Sequence, residues 1–192
     1  MSGRPSRNFM KNKTCMKQFM LIACLIIPGF STYAQELNSE TNTLLKTVFE
    51  KSKPGDLFPE LGGLRYLWIK QNLTNKYFIQ ATTSKARPDT LLLSDNERTF
   101  IDSSLEAAKS FRWTKEVAKN AGLNMSIVML GIQRQGDPLT YAIMKPILIR
   151  NNTFSFIFYS SFTKQNGYHN LSIWRRANGK WVLWKLVAER KI

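Results

Sequence analysis

Thiol and imidazole chemistry are almost missing from this sequence. Its 192 residues hold two cysteines and one histidine. Two cysteines cannot build a disulfide-dense scaffold or a four-thiolate metal site. The lone histidine, His169, excludes a His-rich metal site and leaves a single imidazole for base catalysis. No Gly-x-Ser-x-Gly elbow exists to supply a nucleophile turn, so a Ser-His-acid triad finds no support. His169 lies between Tyr168 and Asn170 at the start of an expected hairpin strand, where it reads as a surface or turn residue. Ser161-x-x-Lys164 matches a short serine–lysine pattern, but it ends an expected strand and lacks the companion Ser-Asp-Asn and Lys-Thr-Gly motifs. The sequence therefore assigns no catalytic, metal or cofactor residue, and a non-enzymatic protein is expected.

Acidic charge is also scarce, and its distribution is informative. The chain has 28 Lys+Arg against 13 Asp+Glu, a formal +15, yet no acid occurs before Glu36. The basic stretch with Arg4, Arg7, Lys11, Lys13 and Lys17 is followed by a 12-residue apolar run, Phe19 to Phe30, and by Ser31-Thr32-Tyr33-Ala34. A basic segment, a short apolar segment and a small residue form a secretory signal peptide over residues 1–34, cleaved between Ala34 and Gln35. The run is too short for a bilayer core of roughly 30 Å, so no transmembrane segment is expected after cleavage. Met10 and Met16 are alternative starts to Met1, since each opens a plausible basic segment. Leu21-Ile22-Ala23-Cys24 resembles a lipobox, but the apolar run continues past Cys24, which speaks against a lipid anchor there.

Removing residues 1–34 changes the composition. Both cysteines, Cys15 and Cys24, go with it, and so do five basic residues, leaving 23 against 13, or +10. Residues 35–110 hold ten basic and ten acidic residues, so the whole +10 lies in residues 111–192. Apolar residues make up 43% of the chain, near the globular average, so a disordered chain is excluded. Residues 35–192 are read as one domain, exported to the periplasm or the medium and held by its core alone.

The pattern along that domain is helix, strands, helices, strands. Leu44, Leu45, Val48 and Phe49 predict a helix over 38–53. Residues 54–63 are turn-rich, and Leu64 to Lys70 and Lys76 to Thr82 read as short strands. Ser94 with Glu97 forms a capping box opening a second helix, whose buried face is read as Phe100, Ile101, Leu105, Ala108 and Phe111. A short helix, Thr114 to Ala121, and a strand from Met125 to Gln133 follow. Tyr141 to Ile149 and Thr153 to Phe162 flank an Asn151-Asn152 turn. His169 to Arg176 and Trp181 to Ala188 flank Asn178-Gly179, a strong hairpin signal. That register pairs Arg176 with Trp181, Trp174 with Leu183, and Ile173 with Trp184. The fold class is α+β, with an antiparallel β-meander of about four C-terminal strands packed against two or three helices.

Lys145-Pro146-Ile147-Leu148-Ile149-Arg150-Asn151-Asn152, Asn178-Gly179-Lys180-Trp181 and the helix opened by Leu93-Ser94-Asp95-Asn96-Glu97 resemble features of a group of small exported proteins of Bacteroidota-type bacteria. The resemblance covers about residues 90–185. The helix opened at Leu93 to Glu97 is read as ending near Trp113; the resemblance implies export and a similar α+β fold, and no activity. Members often carry a Cys-Gly pair after the phenylalanine strand, which Ser160 to Gly167 lacks.

On the final hairpin, Leu171, Ile173, Val182, Trp184 and Leu186 are read as the core face. Trp174, Arg176, Trp181 and Lys185 are read on the other, where cations interleaved with indoles would bind an anionic envelope polymer or an acidic protein. Such binding would weaken with salt. Nucleic acid is not an expected partner of an exported protein. Two further readings are a carrier with a small apolar ligand between sheet and helices, and a hydrolase of unknown type.

Overall fold

A computed structural model describes residues 37–61, 63–73, 75, 77–80, 89–127 and 139–192. All of them belong to the unit Gln35–Ile192. The expected signal peptide and Ala34–Gln35 cleavage site, Cys24, the expected 135–138 turn and the expected strand residues beyond Ile127 lie outside the described residues.

Helix α1 is Ser39–Phe49, capped by Asn38, whose Oδ1 accepts from the Thr41 amide at 2.8 Å. Strand β1 is Gly55–Leu57, and helix α2 is Gly63–Asn72. Strands β2, Tyr77–Ile79, and β3, Thr90–Leu92, pair antiparallel in a small sheet of their own. Helix α3 is Asp95–Ala108 and helix α4 is Lys115–Asn120. Strands β4, Met125–Ile127, β5, Thr140–Ile143, β6, Ile147–Ile149, β7, Phe154–Phe162, β8, Gly167–Ala177, and β9, Lys180–Lys191, complete the chain.

The main sheet has seven strands in the order β4-β1-β5-β7-β8-β9, with β6 also on β7. The β5/β6–β7–β8–β9 meander is antiparallel, whereas β1 runs parallel to β4 and β5. Among the described residues, no helix is long and apolar enough to cross a membrane.

Helices cover both faces of the sheet. Phe156, Phe158, Leu171, Ile173, Ile147 and Ile149 pack under α2 (Tyr66, Ile69) and α3 (Ile101, Leu105). On the opposite face, Ile157 and Trp181 meet Leu44 of α1. Tyr141 and Ile143 extend that face, packing with Leu45 and Phe49 of α1 and Val117 of α4.

Several expectations need correction. Leu64 to Lys70 is helix, not strand, because its buried residues Tyr66, Ile69 and Leu73 follow helical spacing. The turn-rich stretch 54–63 contains β1. Helix α3 stops at Ala108, before Trp113, whose indole Nε1 instead donates to the Ile143 carbonyl at 2.7 Å. The strand expected over 141–149 is split in two at Met144–Pro146, because proline has no N–H for the ladder.

The turn register at Asn151-Asn152 is as read, with Ile149 opposite Phe154 and positive φ at both asparagines. At the last hairpin Arg176 faces Trp181 and Trp174 faces Leu183, but Ile173 faces Lys185. A bulge at Trp184 and a second at Val187 rotate β9. Trp184 is therefore buried among Phe156 and Ile173 as read, while Val182 and Leu186 are exposed.

Candidate functional site

The four residues read as an anion-binding surface do not share one open face. Trp181 is 4% exposed, packed on Leu44 and Ile157. Trp174 is half-buried and donates from Nε1 to Ser172 Oγ at 3.1 Å. Arg176 is paired with Glu40 of α1 at 2.8 Å. The bulge carries Lys185 to the opposite face, where its ammonium donates to the Ile79 carbonyl at 2.5 Å.

The polarised charge has an internal use. Arg112 pairs with Glu60, Arg150 with Glu97, Arg175 with Asp89 and Arg176 with Glu40. Each pair joins an arginine from the basic half of the chain to an acid from the neutral half. Asp89 Oδ2 also accepts from Trp184 Nε1 at 3.0 Å, pinning the start of β3 to the last strands. These ties bring neither Glu60 nor Asp89 to Asp56, which is buried in β1 and accepts from Ser126 Oγ at 2.5 Å.

His169 is buried, not at the surface. Its Nδ1 lies 2.7 Å from the Ser160 Oγ, and its ring packs on Trp68 and Phe158. Ser160 is fully buried. Burial first, and then the guanidinium groups of Arg65 and Arg190, hold the imidazole pKa below its ordinary value. The unfolded chain thus takes up a proton at a higher pH than the folded one. Folding stability is intact above about pH 6.5 and declines as the pH falls below it, toward the folded-state value. His169→Gln should remove that decline, read as the urea midpoint at pH 7 and pH 5. An unchanged difference between the two midpoints would refute this account.

A concave site lies elsewhere, along β6. It begins where α3 begins. Glu97 closes the capping box with Ser94, accepting from the Ser94 amide at 2.8 Å. The same carboxylate accepts from Arg150 Nε at 2.7 Å, and Arg150 Nη2 donates to the Leu92 carbonyl at 2.5 Å. The Arg150 guanidinium, with help from the Ser94 amide, lowers the Glu97 pKa to about 2. This ion pair holds α3 beside the β6–β7 turn, where Arg150, Asn151 and Asn152 all take positive φ.

Between α3, β6 and the first turn of α1 lies a pocket of about 480 Å³. Phe100, Ser104 and Ala107 of α3 form one wall, Asn38 and Thr41 of α1 another, and Lys145 to Leu148 the floor and mouth. A second hollow of about 470 Å³ continues along the same strand toward Asn96 and Arg150. Phe100 and Leu148 line both.

Phe100, read as a core residue, is 51% exposed. The signal for this was present. Phe100, Ser104 and Ala107 form a stripe beside Ile101, Leu105 and Ala108, and its small residues leave room next to the one large ring. Lys145 is exposed because the Pro146 break turns it out of the ladder, and its ammonium lies 5.6 Å from the Phe111 ring centroid. Among the described residues it is the only charged one lining the larger pocket.

The space between the phenylalanine strand and the helices is filled by Phe156 and Phe158, both fully buried. Among the described residues, no group of three His, Cys, Asp or Glu is placed to hold a metal ion. No family model, curated protein sequence or solved structure matches the chain.

Proposed function

We propose that this chain is an exported, non-catalytic binding protein of the periplasm or cell surface, and that it holds an anionic, partly apolar partner in the groove between α3 and β6. The observation that carries this reading is the lining of the larger pocket. Its described lining residues include the exposed Phe100 ring, the Leu148 side chain and one cation, Lys145, with no acid among them. A concave, mainly apolar surface with a few convergent polar groups is the usual form of a ligand site. The basic segment before the apolar run near the N-terminus supports export.

Anilinonaphthalene sulfonate, an aromatic anion, tests the chemistry. Lys145→Met and Phe100→Ser should each weaken its binding by about tenfold, the loss of about 1.4 kcal/mol. Neutral N-phenylnaphthylamine should respond to Phe100→Ser alone. Sulfonate binding unaffected by both substitutions would remove the groove from consideration.

A further inference from the structure

Resting on that reading, we infer that the occupant of the groove is an extended peptide segment that adds as a strand to the open edge of β6, with a carboxylate set against Lys145. Three features point to a peptide.

The first is the floor. Among the described residues β6 pairs with β7 alone, and none of them forms a strand beside its other edge. An open edge presents backbone N–H and C=O groups that a second chain can satisfy. The groove runs along this edge. Ile147 and Leu148 line one hollow, Leu148 and Ile149 the next.

The second is the walls, which come from the two faces of the sheet. Ile147 and Ile149 belong to the face covered by α3, and Leu148 packs with Leu44 of α1 on the other. A strand laid beside β6 would send alternate side chains toward α3 and α1, so it meets Phe100 on one side and the first turn of α1 on the other.

The third is length and charge. The wall from Asn96 to Ala108 spans twelve residue steps, roughly 18 Å of helix. That accommodates about five residues of extended chain. At the α3 N-terminal end the cation Arg150 is consumed by Glu97, whereas Lys145 at the other end has no acid among the described pocket residues. The positive charge is therefore confined to one end, where it fits a C-terminal carboxylate or one acidic side chain.

The test uses the full chain and a library of octapeptides displayed with free carboxyl termini. Enriched sequences are then synthesised with a free carboxylate, as the C-terminal amide, and with alternate backbone amides N-methylated. Peptides should be enriched on the parent chain and not on Phe100→Ser or Lys145→Met, and N-methylation of one alternate set should weaken binding at least tenfold. The amide form separates the two sources of carboxylate: it loses affinity if the terminus is held and keeps it if an acidic side chain is. The inference is overturned if no peptide is enriched, or if N-methylation has no effect, while anilinonaphthalene sulfonate still binds in a Lys145-dependent way; the groove then takes a different anionic ligand. Sulfonate binding that ignores both substitutions ends the broader reading as well.

Discussion

Phe158→Ala should lower the free energy of unfolding by about 3–5 kcal/mol. Phe158 is fully buried on the face of the sheet beneath α2, with its ring 5.7 Å from Trp68 and 5.8 Å from His169. It stands opposite Leu171, which is also fully buried. Truncation removes apolar surface and leaves a void that the long β7–β8 pairing prevents from collapsing. Urea unfolding should show a lower midpoint with an unchanged slope. Phe100→Ala is the internal comparison, because it deletes the same ring from an exposed site and should cost within about 1 kcal/mol. Equal losses in the two variants would mean that the space beneath α2 is not filled as described, and that a ligand cavity there must be reconsidered.

Helices with a cap or a clear apolar stripe, and the last hairpin, were legible; helix α2 and the bulges of β9 were not. Leu44, Leu45 and Phe49 marked α1, and Ser94 with Glu97 marked the start of α3, because caps and stripes are local. Asn178-Gly179 placed the last hairpin, with φ of 50° and 75° as that turn requires. The helix α2 was misread because Leu64, Tyr66 and Trp68 also satisfy a period of two; the competing helical stripe through Ile69 and Leu73 wins by burial. The bulges in β9 carry no local signature, and they moved Lys185 away from Trp174, Arg176 and Trp181, while α1 covers Trp181 and pairs with Arg176.

The candidate groove was half visible. The Lys145-Pro146 pair and the phenylalanine at position 100 were both in view as sequence features. Their meeting depends on the pairing of Arg150 with Glu97, residues 53 positions apart, which no periodicity reports. The charge asymmetry between the halves was visible too. One use of it, arginines of one half tying down acids of the other, requires the tertiary arrangement.

Gly55→Ala should destabilise the chain by about 1–3 kcal/mol, although the substitution adds one methyl group to a strand. The strand is β1, which lies between β4 and β5 with parallel pairing on both sides. A Cβ on Gly55 would lie 2.4 Å from the Leu139 carbonyl oxygen and 2.8 Å from the Tyr141 ring. The ring can turn aside, but the carbonyl cannot, because it accepts the Asp56 amide at 2.8 Å. Relief therefore requires moving β1 away from β5, which lengthens that bond and disturbs the half-buried Asp56–Ser126 contact on β4. Tyr141→Leu, added to Gly55→Ala, should restore only part of the loss, since it removes the ring and leaves the carbonyl. Gly179→Ala is the contrast. Its Cβ meets nothing within 4 Å, but its φ of +75° strains any side chain, at a cost of about 1 kcal/mol. The two variants should also differ in where they act. Amide exchange should quicken across β1, β4 and β5 for Gly55→Ala and only at the β8–β9 turn for Gly179→Ala. A Gly55→Ala chain as stable as the parent would show that β1 is not held between two strands, and that residues 54–63 form a surface turn.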